Sequence, residues 1–159
     1  MTDPWQHAPP EWTYPDDTPT RVTIRELAAR IHASKGPNAG GVLGQRVEGP
    51  VIVYWKGPPP DGLRRLAAQQ PVPVSFEEAA YALDELMPIA KQFMDDHGDV
   101  LASTGPLKDY SGVSIWVWTD PGVDPEALVA ALSAEVGVPV VCDRTMPRDA
   151  QPWGSRSGA

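Results

Sequence analysis

Apolar positions along the chain change their period several times, and each change marks an element. Ile24, Leu27, Ala28 and Ile31 recur at the spacing of one helix face. Thr23 and Glu26 stand in capping-box positions before them, which predicts a helix over about 24–34 with Thr23 as its N-cap. Lys35-Gly36-Pro37 stops it, and a glycine-rich loop leads to a short strand over about Val42–Val47. Glu48-Gly49-Pro50 turns the chain into Val51–Lys56, so these two strands form a hairpin. Leu63, Leu66 and Ala67 mark a short amphipathic helix after a proline run, and Val72–Phe76 is the next strand. A longer helix runs from about Leu83 to Asp96. Pro88 fits only in a first turn, which favours a start near Asp84 or Glu85. Val113–Trp118 is the clearest strand. Asp124-Pro125-Glu126 opens a helix carrying Leu128, Ala131, Leu132 and Val136 to Gly137, and Val138–Cys142 is the last strand.

Two segments share one plan. Residues 51–76 and 113–142 each read strand, proline-containing turn, helix, strand, and each second strand carries Val-Pro-Val, as Val72-Pro73-Val74 and Val138-Pro139-Val140. Two interleaved βαβ units make a split-βαβ, ferredoxin-like α+β sandwich with helices on one face. Pro73 and Pro139 lack the donor that a central strand needs, so they fit at sheet edges, with Val51–Lys56 and Val113–Trp118 paired in the middle. An N-terminal helix, a hairpin strand and a connecting helix are additions to this plan. The expected organisation is a Pro/Trp-rich tail over 1–21, one domain over 22–143 and a polar tail over 144–159.

Side chains alternate along a strand, so Val113, Ile115 and Val117 oppose Ser114, Trp116 and Trp118, as Val51, Val53 and Trp55 oppose Ile52, Tyr54 and Lys56. The aliphatic set is expected under the helices. Tyr54, Trp116 and Trp118 are expected on the open face, as a partner-binding surface. Val140 in the edge strand, and Arg144 and Met146 in the extended segment leaving it, complete the candidate contact set.

Composition narrows the partner. Of 159 residues, 42% are hydrophobic, enough for a globular core, and the formal net charge of −8 repels phosphate backbones and anionic bilayers. A protein partner is expected, with no nucleic acid and no membrane. No basic segment leads into an apolar run at the N-terminus, so the chain as written is expected in the cytoplasm. Cys142 is the single cysteine and reads as a small core residue.

Chemistry is sparse. His7 lies in the N-terminal tail, and His32 and His97 sit at helix ends, so no catalytic triad is expected. Asp95-Asp96-His97 is a solvated helix end rather than a metal site, and Gly36–Gly44 precedes a strand instead of linking a strand to a helix as phosphate loops do. Acylphosphatases share the split-βαβ fold, but Asn38, the only asparagine, lies in a loop before the repeats. No catalytic residue, cofactor or metal is expected.

The order of motifs carries a resemblance. Gly44-Gln45-Arg46-Val47 precedes Val53-Tyr54-Trp55-Lys56-Gly57-Pro58, then Val72-Pro73-Val74 and Tyr81-Ala82-Leu83-Asp84-Glu85-Leu86. Gly105-Pro106, Asp109-Tyr110-Ser111-Gly112, Gly137-Val138-Pro139-Val140 and Pro152-Trp153-Gly154 follow in turn. Over residues 22–154 this resembles the N-terminal, propeptide-like region of actinobacterial secreted trypsin-like serine proteases, without the protease domain. The resemblance implies a non-catalytic folding assistant or inhibitor whose C-terminal segment enters a protease cleft. A cytoplasmic structural or regulatory protein that keeps the fold without a protease partner is the alternative, and an acylphosphatase-like enzyme rests on fold analogy alone.

Overall fold

In a computed structural model that describes residues 18–34, 36–46 and 48–148, the first helix, α1 (Pro19–Ser34), starts a full turn before the expected cap. The Arg21 amide donates to the Thr18 hydroxyl at 3.3 Å, and Pro19 takes the first helical position, where its missing N–H costs nothing. Thr23, expected as the N-cap, is instead fully buried inside the helix, and its hydroxyl has no hydrogen-bond partner among the described residues.

Strands β1 (Ala39–Gly44) and β2 (Val51–Trp55) form the expected antiparallel hairpin, with Gly44 opposite Val51. Thr20 ties its turn to α1. The Thr20 hydroxyl donates to the Gly49 carbonyl at 2.8 Å and accepts from the Gly49 amide at 2.9 Å. Gly49 has φ +137°, a conformation closed to side-chain-bearing residues. The helix α2 (Asp61–Ala68) then carries the chain to β3 (Val74–Glu78), parallel to β2 with Val51 opposite Val74. Leu27 and Ile31 of α1 and Leu63 and Leu66 of α2 pack against Val51, Val53 and Trp55, so both helices cover one face of this sheet.

Residues from Glu85 onward form a second compact unit, described by itself. Its helix α3 (Leu83–His97) begins just before that boundary. It starts early enough to place Pro88 in its second turn, not its first, which leaves one carbonyl of the preceding turn without its helical donor. Strands β4 (Leu101–Pro106) and β5 (Val113–Trp118) are antiparallel, the helix α4 (Pro125–Val136) follows, and β6 (Val140–Met146) lies parallel to β5. The Asp124 carboxylate caps α4 by accepting from the Glu126 amide, with Pro125 at the start of the helix, as expected. The Thr104 hydroxyl, on the Ile115 side of the sheet, donates to the Ala90 carbonyl at 2.7 Å and sets α3 over that face.

The chain is therefore α+β, with four helices and two three-stranded sheets among the described residues, and its element order fits a split-βαβ arrangement with an extra N-terminal helix. Strand pairing corrects one expectation. Val51–Trp55 and Val113–Trp118 do not pair with each other; each is the middle strand of its own sheet. Pro73 and Pro139 do lie at sheet edges, each immediately before its strand.

The repeat is also larger than Val-Pro-Val indicates. Each unit reads helix, hairpin, helix, strand. The backbone bonds recur at equivalent places: the Val51 amide donates to the Pro73 carbonyl and the Val113 amide to the Pro139 carbonyl, both at 2.9 Å. Lys56 to Asn38 and Trp118 to Val100 match in the same way, at 2.8 and 2.9 Å. The irregularity in β1 between Ala39 and Val42 has its counterpart in β4 between Leu101 and Ser103. Thus the helices and hairpin strand added to the minimal plan recur in both units. β4 itself lies where the sequence predicts no element, because Thr104 is the one β-branched residue in Leu-Ala-Ser-Thr-Gly-Pro. Its edge position tolerates Gly105 and Pro106.

Two expectations follow for the β4–β5 turn. A Cβ on Gly112 would overlap the Pro139 carbonyl oxygen, the acceptor that registers β6. Gly112→Ala should therefore cost about 1–3 kcal/mol, seen as a lower urea midpoint at unchanged m-value. The Asp109 carboxylate accepts from the Ser111 hydroxyl at 2.6 Å and the Ser111 amide at 3.1 Å, and these bonds hold its pKa below the ordinary aspartate range. A depressed folded-state pKa means that the turn's stabilisation is present above the unfolded-state value and is lost as pH falls through the folded one. The Ser111 amide resonance should titrate below the usual aspartate range, and Asp109→Asn should abolish that titration.

Candidate interaction face of the second unit

Burial along β5 alternates strictly. Val113, Ile115 and Val117 are buried, whereas Ser114, Trp116 and Trp118 are half-buried on the opposite face. This is the expected arrangement, and it follows from the pleat, with α3 on the aliphatic side. Ser103 of β4 lies opposite Trp116 on one flank and Arg144 of β6 on the other.

An extra residue in β6 shapes this face. Ile115 pairs with Cys142 and Trp116 with Arg144, so Asp143 has no partner on β5. Such a bulge re-aims the side chains beyond it. The Arg144 guanidinium lies 5.0 Å from the Trp116 ring centroid, and the Arg148 guanidinium 5.5 Å from that of Trp118. Arg148 is further held by Asp120, with Nε 2.8 Å from one carboxylate oxygen, and by donation to the Asp99 carbonyl. The two arginines therefore differ. One is fixed by a carboxylate, while the other rests on its indole with no ion pair among the described residues.

The other expected contact residues are placed differently. Tyr54, expected on an open face, is 9% exposed, because both faces of β2 are buried along its whole length. Val140 and Met146 are 5% and 6% exposed. Met146 does not lie in an extended tail; it is the last residue of β6, opposite Trp118, and the Thr119 amide donates to its carbonyl at 3.0 Å. Of the expected tails, residues 19–21 belong to α1, which Thr18 caps, and 144–146 to β6, while 1–17 and 149–159 lie outside the described residues. Cys142 is half-buried, its thiol 3.6 Å from the Arg144 carbonyl, so it is only partly the core residue expected. Arg148 was read as tail. It lies two residues beyond the end of β6, and no periodic signal in the sequence marks it.

Among the described residues, no group of three or more His, Cys, Asp or Glu could hold a metal ion, and no helix is long and apolar enough to cross a membrane. The chain matches no protein-family profile and no curated protein sequence.

An arginine stacked on a partly exposed indole is worth about 0.5–1 kcal/mol. A double-mutant cycle of Trp116→Leu and Arg144→Met, read by urea denaturation, should return a coupling of that size. Zero coupling would show that the contact adds nothing to folding.

Proposed function

We propose that this chain is a non-catalytic protein-binding module of the serine-protease pro-domain type, acting as a folding assistant or inhibitor, and that the Trp116–Trp118 face of the second unit contacts its partner. The observation that carries this reading is the pair of half-buried indoles, each with an arginine over it, on the face of the sheet away from α3. Tryptophan and arginine dominate the binding energy of protein interfaces, since each offers large contact area with directed polar atoms. A rigid middle strand holds both indoles, so little conformational entropy is lost when a partner covers them. The exposed Val141, at 44%, extends the apolar part of this face along β6. Further support is the order of motifs along residues 22–154, from Val53-Tyr54-Trp55-Lys56-Gly57 to Pro152-Trp153-Gly154. The net charge of −8 disfavours nucleic acid as the partner.

The measurement is binding to, and inhibition of, an actinobacterial trypsin-like protease. Trp116→Ala and Arg144→Ala should each weaken binding roughly tenfold or more, as truncated interface anchors do. Unchanged affinity in both variants, or no binding by the unaltered chain, overturns the reading. A role for the C-terminal segment is best tested by a chain ending at Arg148. Ending it at Cys142 would remove half of β6 and damage the fold itself.

A further inference from the structure

The face carrying Trp116 and Trp118 is asymmetric across its three strands. On the β6 flank Arg144 lies over the Trp116 ring, 5.0 Å from its centroid, and the exposed Val141 lies opposite Ser114. On the β4 flank the residues that share this face are small: Ser103 opposite Trp116 and Gly105 opposite Ser114. A Cβ on Gly105 would meet nothing within 4 Å beyond its chain neighbours, so the surface there is open. The Trp116 indole thus borders a shallow floor of Ser103, Gly105 and Ser114, with a cation on its β6 side. Open floors walled by an aromatic side chain seat the rings of an extended proline-rich segment.

Charge selects among such segments. Arg148 is taken by Asp120, its Nε 2.8 Å from a carboxylate oxygen, whereas Arg144 has no ion pair among the described residues. A segment with a carboxylate next to its prolines therefore matches this face, since the carboxylate can complete a charge-assisted pair with Arg144.

The chain itself supplies one. Residues 1–17 include Pro4, Pro9, Pro10 and Pro15, with Asp3, Glu11, Asp16 and Asp17 and neither lysine nor arginine. The run Pro9-Pro10-Glu11 sets two prolines beside a carboxylate. A polyproline-II strand makes no internal hydrogen bonds and its prolines fix φ in advance, so ordering it on a surface costs little. Bound in that form, a segment of this length reaches about 50 Å from its junction with α1 at Thr18. Tethering also raises its local concentration to about the millimolar range, which populates a contact too weak to hold a free peptide.

We propose that residues 1–17 dock on the Trp116–Trp118 face of their own chain, with Pro9-Pro10 against Trp116 over the floor of Ser103, Gly105 and Ser114, and Glu11 paired with Arg144. The inference rests on the reading of this face as a contact surface and adds its regulation, because the segment competes with the partner for the same indole. In the full chain carrying Cys142→Ser and Ala8→Cys, a nitroxide attached at residue 8 should erase the indole N–H resonances of Trp116 and Trp118 relative to the reduced label, to the same extent at every protein concentration. Glu11→Arg, which alters no described residue, should bring the resonances back, as should Arg144→Glu, and combining the two substitutions should erase them again. Unchanged resonances in the labelled chain, a loss that persists in both single variants, or a loss seen only between a labelled copy and a separate isotope-enriched copy overturns the proposal. Protease binding keeps this inference apart from the function on which it rests. Glu11→Arg should bind the protease about threefold more tightly or better, because the face is freed, and equal affinity overturns the competition. Erased resonances in a chain that binds no protease overturn the functional reading alone. Protease binding that depends on Trp116, with no loss of resonances, overturns this inference alone.

Discussion

Val51 and Val113 each donate an amide hydrogen to a proline carbonyl, and those two bonds set the register on which each half of the chain is built. A proline cannot donate, but its carbonyl is a full acceptor, and its fixed φ holds the backbone extended. Placed just before the edge strand, it fixes where parallel pairing begins. Val51 then falls opposite Val74, and Val113 opposite Val140. Once that register is set, alternation decides the rest. Val53 and Ile115 must point where Val51 and Val113 point, so a buried face is defined before any helix packs on it. The helices then differ only in how they meet that face. In the first unit α1 crosses close, because Gly44 leaves room for Ile24; a Cβ there would stand 2.9 Å from the Ile24 Cδ1 atom.

How far the sequence exposes this design depends on the element. Strong periodicity revealed α2, α4, β2 and β5, and Pro73 and Pro139 marked the sheet edges, since a proline there has a direct physical meaning. The pairing of the middle strands was not legible. Two apolar strands of similar length can be neighbours in one sheet or centres of two, and only β4 decides between these. Its Ser, Gly and Pro conceal it, because an edge strand with one partner draws its stability from the strand beside it rather than from its own residues. The start of α1 misled for a different reason. Thr23 and Glu26 satisfy a capping pattern locally, but Thr18-Pro19 offers a cap and a preorganised first turn, and a helix extends to the earliest start that its caps permit. On the candidate face, the two indoles were legible from alternation. Arg144 was anticipated as a contact but not as a residue stacked on Trp116, because the single unpaired Asp143 shifts the parity of everything after it.

That one residue separates the two halves more than any other difference. In the first unit β2 and β3 stay in regular register to the end, with Tyr54 opposite Glu77 and Trp55 opposite Glu78. In the second the bulge at Asp143 brings Arg144 opposite Trp116 and Met146 opposite Trp118. Regular pairing ends the first copy in carboxylates, and bulged pairing ends the second in a cation over an indole. The same backbone plan thus presents opposite charge at equivalent strand ends. The overall net charge hides this, because a sum over the chain does not record which strand end carries which sign.

The division of roles that follows is a matter of geometry. A middle strand buried on both faces, as β2 is, offers a partner nothing along its length. A middle strand buried on one face, as β5 is, offers its other face, and large side chains there remain partly in water only if something offsets the exposure of apolar surface. Arg144 and Arg148 do this by lying over the rings, each shielding an indole while keeping its own charge solvated. Because Asp120 already holds Arg148, that cover is fixed. Among the described residues Arg144 has the Trp116 ring beneath it and no ion pair, so displacing it would break none. The Trp116 end of the face is therefore the end at which the cost of forming an interface is lowest.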